Sequence, residues 1–172
     1  MNLKKCLVIL LTLLLTGCGT QETFETVGEV SGELPPAEAQ QIDMVLPDEA
    51  VDGIQEGDTT LYECNGYTLT LQTMPGGDLG RTLKTVTGHE QENLHLLQTE
   101  TGAVKNYYCA WTTAAEEGLQ VGRTQIMDDG NYHYAVTTIA QEAQAGELRE
   151  TWQQMFATVG LAEPHVELNT GS

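Results

Sequence analysis

Apolar and polar residues alternate over most of the chain between residues 42 and 138, and this period of two predicts β-strands. Asn65-Gly66 lies between the alternating segments 61–64 and 67–73. That pattern predicts a β-hairpin with a type I′ turn, in which both central residues need a positive φ. Further strands are predicted at 42–47, 93–99, 104–113, 120–127 and 132–138.

Two segments follow the period of an α-helix instead. In the first, Leu79, Leu83 and Val86 form an apolar stripe at i, i+4 and i+7. Asp78 is suited to cap the beginning of this helix and Gly88 to end it. The i+3 position of the stripe is a threonine, which is only half apolar, so this short helix is less regular than the second one.

The second helix is predicted over residues 141–159, with Gly160 at its end. Its apolar residues recur at i, i+4, i+7, i+8 and i+11, which places them on one face that can cover a sheet. These residues are Leu148, Trp152, Met155, Phe156 and Val159.

Strands in hairpin order with helices to cover them predict an α+β fold, with a mostly antiparallel sheet meander, a short internal helix and a C-terminal helix. We expect this domain to span residues 42–161 and a tail to follow over 162–172. The order of elements resembles that of PsbP-like proteins of photosystem II, which implies a small sandwich fold.

Three further segments are similar to a group of uncharacterised small lipoproteins of Firmicutes. They are Trp111 to Gly118, Ile126 to Tyr134, and Trp152-x-x-x-Phe156. This resemblance implies an origin with a Gram-positive membrane, and it implies no activity.

The N-terminal segment has the layout of a secretory signal. Lys4 and Lys5 precede an apolar run of about ten residues, which is short of the ~20 that a spanning helix needs. The run ends in Leu-Thr-Gly-Cys18, which resembles the lipobox of bacterial lipoproteins. The resemblance implies that residues 1–17 are removed and that Cys18 carries a lipid anchor. The alternative is an ordinary signal peptide that happens to end near a cysteine.

Residues 18–41 have low hydrophobicity and regularly spaced glutamates, which predicts an acidic flexible tether. The whole chain has a formal charge of −18, and loss of the two signal-peptide lysines makes it −20. Nucleic-acid binding needs clustered basic residues, and the few that remain cannot form such a cluster. We therefore expect contact with the membrane through the lipid, on the extracytoplasmic side, and no nucleic-acid partner. The acidity is explained by solubility more simply than by cation storage.

Cys64 and Cys109 are the cysteines left once the signal is removed and Cys18 is lipidated. An exported pair of cysteines predicts a disulfide, which would stabilise the fold by ~3–4 kcal/mol in the chain-entropy model. The alternative is two buried free thiols, since cysteine is among the most buried residue types.

No catalytic constellation is visible in the sequence. After residue 17 the only serines are Ser31 in the tether and Ser172 at the end, so a serine hydrolase of the Ser-His-Asp type has no nucleophile within the domain. The four histidines lack metal-ligand spacing. We therefore predict no metal, no cofactor and no enzymatic activity.

Three other groups have a functional and a simpler interpretation. Asp128 and Asp129, with His133 nearby, form a weak candidate for a cation site, although adjacent aspartates before Gly-Asn suit a hairpin turn better. Glu116 and Glu117 could do acid–base chemistry, but a solvated loop explains them more simply.

Aromatic residues recur on neighbouring predicted strands. Tyr107, Trp111, Tyr132 and Tyr134 are weak candidates for a binding face, whereas cross-strand packing is the simpler interpretation. Since side chains alternate along a strand, Tyr108 lies on the face opposite to Tyr107 and Trp111. One aromatic set could therefore be exposed.

These patterns favour a membrane-anchored extracytoplasmic lipoprotein that is a non-catalytic binding or accessory module, with a protein or small ligand as its partner. The alternatives are a structural lipoprotein of envelope assembly and, less favoured, a small enzyme that uses Asp, Glu or His.

Overall fold

A computed structural model describes residues 38–162. The predictions for the signal peptide, for Cys18, for the tether up to residue 37 and for the tail after residue 162 lie outside these residues. The elements follow in chain order, with a single 3₁₀ turn at Gln91–Asn93. They are β1 Gln41–Asp43, β2 Ile54–Glu56, β3 Thr59–Cys64, β4 Tyr67–Pro75, α1 Leu79–Thr87, β5 Leu97–Thr101, β6 Val104–Ala115, β7 Gly118–Asp128, β8 Tyr132–Gln141, α2 Glu142–Phe156 and β9 Gly160–Ala162.

The strands β2 to β8 form one antiparallel sheet in the order β2-β3-β4-β8-β7-β6-β5. The predicted α+β class is therefore confirmed, including the short internal helix and the C-terminal helix. The meander β5–β8 folds back so that β8 pairs with β4 from Tyr67↔Ala140 to Pro75↔Tyr132. β2 and β5 are left as the two edges, and every residue of both strands is exposed to solvent.

A second, two-stranded sheet joins the beginning and the end of the described chain. β1 pairs with β9 in antiparallel register, from Gln41↔Ala162 to Asp43↔Gly160. Gln41 was expected in the tether, and Gly160 was expected to end the last helix. Gln41 instead begins a strand. The expected helix end is wrong, because α2 ends at Phe156, four residues before Gly160.

The hairpin at Asn65-Gly66 is confirmed, but its turn type is not the one predicted. Gly66 has a φ of 86°, whereas Asn65 is not among the residues of positive φ. This sign pattern belongs to a type II turn, which needs a positive φ only at its third residue. In this turn only the glycine adopts a positive φ, which is unfavourable for residues that have a side chain.

The helix α1 forms as its end residues predict. The Asp78 side chain accepts a hydrogen bond from the Arg81 amide at 3.2 Å, and Gly88 closes the helix with a φ of 77°. Leu83 and Val86 pack against Ile126 and Ala135 of the sheet. We call this side of the sheet the α1 face; it includes Tyr107, Cys109 and Trp111.

The helix α2 covers the opposite side of the sheet, which we call the α2 face. Trp152 and Met155 are buried against Tyr67, Leu69, Val136 and Ala140. The other predicted stripe residues, Leu148, Phe156 and Val159, pack at the margin of this core. Among residues 38–162, neither helix is long and apolar enough to cross a membrane.

Candidate functional site

The four aromatic candidates do not share a face. Tyr107 and Trp111 lie on the α1 face. Tyr132 and Tyr134 alternate in phase with Val136 of β8 and so lie on the α2 face, with their ring centroids 6.1 Å apart. A single binding face made of all four is therefore ruled out by the pleat of the sheet.

Trp111 belongs to the core of the α1 face. Its ring lies 5.5 Å from that of His89, and its Nε1 donates to Thr124 Oγ1 at 3.3 Å. Gly122 is its direct neighbour on β7, and a Cβ there would come within 2.2 Å of the indole. Trp111 is buried, so its ring is unavailable to a partner at the surface.

Tyr134 is buried at the end of the sheet where the described chain begins. Its hydroxyl donates to Asp129 Oδ2 at 2.8 Å and accepts from the Gln40 amide at 2.9 Å. Burial and the neighbouring Asp129 carboxylate raise the pKa of Tyr134 to about 12. The phenol is therefore neutral and holds the segment before β1 in place.

The two aspartates of the β7–β8 turn are occupied by the turn itself. Asp128 Oδ1 accepts from the Gly130 amide at 2.8 Å, and Asp129 Oδ1 accepts from the amides of Asn131 and Tyr132 at 2.8 and 2.7 Å. Burial opposes ionisation of Asp129, but these backbone donors and Tyr134 outweigh it and lower its pKa. The turn interpretation therefore holds. Within residues 38–162, no group of three or more His, Cys, Asp or Glu residues is arranged to hold a metal ion.

The two thiols lie far apart and are free. Cys64 is on β3 and packs on the α2 face, whereas Cys109 is on β6 and packs on the α1 face. Four strand spacings separate them, roughly 19 Å at about 4.8 Å each. A disulfide needs Cα atoms within about 7 Å, so the predicted Cys64–Cys109 bridge is wrong for this fold.

Neither thiol is activated. Burial raises the pKa of Cys64 above its ordinary value, and burial raises the pKa of Cys109 to about 11. A nucleophilic cysteine needs a lowered pKa.

A hydroxyl, an imidazole and a carboxylate lie in line on the α1 face, which sequence reasoning missed. Thr82 Oγ1 and His133 Nδ1 share a hydrogen bond of 2.7 Å, and His133 Nε2 lies 3.8 Å from Asp128 Oδ1. The order resembles that of a hydrolase triad. Thr82 and His133 are only 6% and 1% exposed, however. The arrangement therefore fastens α1 to the β7–β8 hairpin and gives a substrate no access.

The remaining acidic candidates, Glu116 and Glu117, form the turn between β6 and β7 and are exposed. A solvated turn accounts for them.

The α2 helix leaves half of its own face open. It packs on β7 and β8, while the neighbouring β6 and β5 present Ala110, Thr112 and Leu97 to solvent, and Leu97 is 64% exposed. Tyr108 is the cross-strand partner of Leu97 and is only partly buried. Unlike the four candidates above, Tyr108 thus stands at the edge of an open surface.

A cavity of about 310 Å³ opens between this surface and the C-terminal segment. That volume is at the small end of the range for small-molecule sites, roughly 300–1,000 Å³. Its lining comes from β6, β7, β9 and the end of β5, together with single residues just before β1 and β9. The residues are Gln40, Thr101, Val104, Asn106, Tyr108, Met127, Val159, Gly160 and Leu161.

Asn106, one of these lining residues, is paired with the buried amide of Gln125, which does not itself line the cavity. Gln125 Nε2 donates to Asn106 Oδ1 at 3.4 Å, while Gln125 Oε1 has no hydrogen-bond partner within residues 38–162. An unpaired buried acceptor costs about 1–3 kcal/mol. A polar pair at inward positions of adjacent strands is visible in the sequence, and that signal could have identified this region.

A second, smaller depression of about 220 Å³ lies further along β6 and β7. It is lined by Tyr108, Arg123 and Phe156 among others, and the Arg123 guanidinium lies 5.6 Å from the centre of the Phe156 ring. The cation is thereby held against the end of α2. The open surface thus continues from the cavity past Tyr108 to Arg123.

No family model and no curated protein matches this chain. Several solved structures are similar to it, and three of them are described here. A protein of Bacteroides thetaiotaomicron has 14% identity and a TM-score of 0.48 over 71% of this chain, which spans 45% of that protein. LpqN, involved in cell envelope biogenesis of Mycobacterium tuberculosis, has 11% identity and a TM-score of 0.49, covering 73% of this chain and 85% of that one. The cyanobacterial PsbP protein CyanoP from Synechocystis has 8% identity and a TM-score of 0.43, covering 76% and 98%.

These are partial likenesses of fold at low identity. The resemblance to PsbP-like proteins and the kinship with small lipoproteins of Firmicutes both stay predictions.

Proposed function

We propose that this protein is a lipid-anchored, extracytoplasmic binding module without catalytic activity, tethered to the cell membrane through Cys18. The anchor is supported by the basic start, the apolar run and the Leu-Thr-Gly-Cys18 sequence. The tether after it carries the domain away from the membrane.

One contrast carries the binding role. The potentially reactive side chains are occupied by contacts within the fold or are buried. Burial raises the pKa of both thiols, and the turn aspartates accept hydrogen bonds from backbone amides. Thr82 is buried against His133. Tyr108 and Asn106, by comparison, line a cavity beside an open half-sheet. An arrangement of this kind can bind a partner and offers no reactive group to transform it.

The anchor is tested by growing cells that express the protein with labelled palmitate. The wild type should take up the label and sediment with membranes, and Cys18→Ala should lose both properties. Cys6→Ala is the matched control, because this cysteine lies within the signal peptide and should leave lipidation intact. A wild type that takes up no label, together with a Cys18→Ala protein that remains in the membrane fraction all the same, would overturn the anchor.

The absence of catalysis is tested with p-nitrophenyl acetate, an activated ester that almost any activated hydroxyl can attack. The wild type and Thr82→Val should hydrolyse it at the same background rate. A wild-type rate well above that of Thr82→Val would instead make the Thr82–His133–Asp128 line an active site.

A further inference from the structure

The cavity beside β6 has no charged residue in its lining, although the chain is strongly acidic. All nine lining residues are uncharged, whereas the chain as a whole has 25 acidic and 7 basic residues. Four of the nine are apolar side chains, Val104, Met127, Val159 and Leu161. A charged group would lose its hydration in this cavity without gaining a counter-ion, so the lining favours an uncharged, apolar part of a ligand.

A cation lies at the other end of the same open surface. Arg123 is the one charged residue among those that line the second depression, where Tyr108 and Ala110 are its neighbours. Among residues 38–162, no carboxylate forms an ion pair with Arg123. Its guanidinium is held 5.6 Å from the centre of the Phe156 ring, a contact that leaves the N–H donors unused. These donors form a planar fork that matches a carboxylate.

Three residues of β6 connect the cavity to this cation, and we call them the β6 track: Asn106, Tyr108 and Ala110. They follow at every second position, so their side chains share the α2 face. Asn106 lines the cavity, Tyr108 lines both depressions, and Ala110 is the exposed cross-strand partner of Arg123. From Asn106 to Ala110 the track is about 13 Å long, at roughly 3.3 Å for each residue. An extended ligand could therefore reach the apolar cavity and the cation together.

The charge of the site is matched by a single negative charge. A phosphate monoester carries nearly two negative charges and would need a second cation, and no residue that lines either depression supplies one. A carboxylate carries one charge and can accept two parallel hydrogen bonds from one guanidinium. Because the chain as a whole is acidic, it repels anions at long range, so binding of an anion has to depend on this one contact.

We propose that the β6 track binds a molecule with a single aliphatic chain and a terminal carboxylate. The chain extends across Tyr108 into the cavity, against Val159 and Leu161, and the carboxylate accepts hydrogen bonds from the Arg123 guanidinium. This inference rests on the proposed role as a binding module and names the ligand class for it.

Three probes separate the contribution of the chain from that of the carboxylate. Octanoate has both groups, octanol has the same chain with an uncharged hydroxyl, and acetate has the carboxylate without the chain. Each is titrated at neutral pH into the ¹⁵N-labelled full chain in lipid nanodiscs, and empty nanodiscs give the amount of probe that the lipid takes up. Backbone amide signals of Ala110 and Arg123 report on the carboxylate, and those of Val104 and Leu161 report on the chain.

The wild type should bind octanoate about tenfold more tightly than octanol, a factor that corresponds to ~1.4 kcal/mol. Acetate should bind more weakly than octanoate and should shift the signals of Ala110 and Arg123 alone. In Arg123→Gln, the affinity for octanoate should fall to within about twofold of that for octanol, because the charged donor is gone.

Lys105→Gln is the matched control for net charge. It also removes one positive charge from the sheet, but Lys105 precedes Tyr107 by two positions on β6, so its side chain lies on the α1 face. The preference for octanoate should therefore remain in this variant.

A second pair of variants tests the site without changing Arg123. Ala110→Glu places a carboxylate directly across from the guanidinium at an exposed position, and it should abolish the preference for octanoate. Ala110→Gln introduces a side chain of nearly the same size without the charge, and it should keep that preference.

Equal affinity for octanoate and octanol in the wild type, a preference that survives Arg123→Gln, or no binding of any probe to the folded protein would each overturn the proposed ligand class. Those results would leave the anchor intact, since palmitate labelling and Cys18→Ala test it separately.

Discussion

One helix packs on each face of the sheet, but the two faces differ in how many of their buried polar groups have hydrogen-bond partners. On the α1 face, Thr82 pairs with His133, and Trp111 donates to Thr124. On the α2 face, Gln125 Oε1, Thr138 Oγ1 and Trp152 Nε1 are all buried without a partner in the part of the chain that the structure describes. On the α1 face, His89 Nε2 alone shares that condition among the described residues.

The two faces also differ in how they are covered. The short helix α1 and the segment after it seal a core in which Leu83 and Ile126 are fully buried. The longer helix α2 packs on β7 and β8 and leaves β6 and β5 to solvent.

The largest expected effect comes from adding one methyl group to each face. Gly122→Ala places a Cβ within 2.2 Å of the Trp111 ring, and we expect a loss of about 3 kcal/mol from this overpacking. Gly146→Ala is the matched change in α2, where nothing lies within 4 Å of the new Cβ, and an alanine in a helix interior should gain about 1 kcal/mol. Urea denaturation measures both. A Gly122→Ala protein as stable as the wild type would show that the α1 face is not tightly packed.

The second comparison removes a hydroxyl from each face while keeping the shape. Thr82→Val leaves His133 Nδ1 buried without its partner, which should cost about 1–3 kcal/mol. Thr138→Val removes a hydroxyl that has no partner and should be neutral or stabilising. Thr82→Val should therefore be less stable than Thr138→Val, as measured by the free energy of unfolding. Equal losses would contradict the difference between the faces.

The third comparison replaces each tryptophan by phenylalanine. Both variants lose volume from a core, but only Trp111→Phe also loses a hydrogen bond, the one to Thr124. We expect Trp111→Phe to be less stable than Trp152→Phe by about 1 kcal/mol. The change in thermal midpoint reports this, and the opposite order would mean that Trp152 Nε1 does find a partner in solution.

The smallest effect is one of pH at the β7–β8 turn. The pKa of Asp129 is lowered in the folded protein, so its contribution is complete above the ordinary value of 3.8 and is lost as the pH falls through the lower folded value. Asp129→Asn should therefore lower the melting temperature slightly at pH 7 and reduce the further drop on acidification below about pH 4. Melting curves from pH 7 to pH 2 test this. Parallel curves for both proteins would show that the turn amides do not favour the ionised carboxylate.

Local signals in the sequence predicted some elements to within a residue. Asp78 and Gly88 determine the ends of α1 through contacts within the helix itself, so no distant partner had to be known. The hairpins at Asn65-Gly66 and at the β7–β8 turn were predictable for the same reason, although the type of the first turn was not. The apolar stripe of α2 was also predicted, including its buried residues Trp152 and Met155.

Long-range pairing explains what could not be predicted. Gly160 suits a helix end, but it pairs with Asp43 of β1, and nothing in the neighbouring sequence announces a partner that distant. The Cys64–Cys109 bridge failed because β4, β7 and β8 lie between the two strands. Thr82 looked like a flaw in an apolar stripe, whereas the structure places it against His133, a partner 51 residues away. The cavity depends on which strands α2 covers. The periodicity of apolar residues in the helix does not predict that.

The two edge strands have a consequence for the proposed anchoring at a membrane. Lipid-held molecules share a two-dimensional layer, where neighbours meet far more often than in bulk solution. β2 and β5 offer unpaired backbone, but they are only 3 and 5 residues long, and each carries a glutamate, Glu56 and Glu100. Short, charged edges are poor templates for sheet extension between molecules. A crowded layer of this protein should therefore stay a collection of separate domains, each with its cavity free.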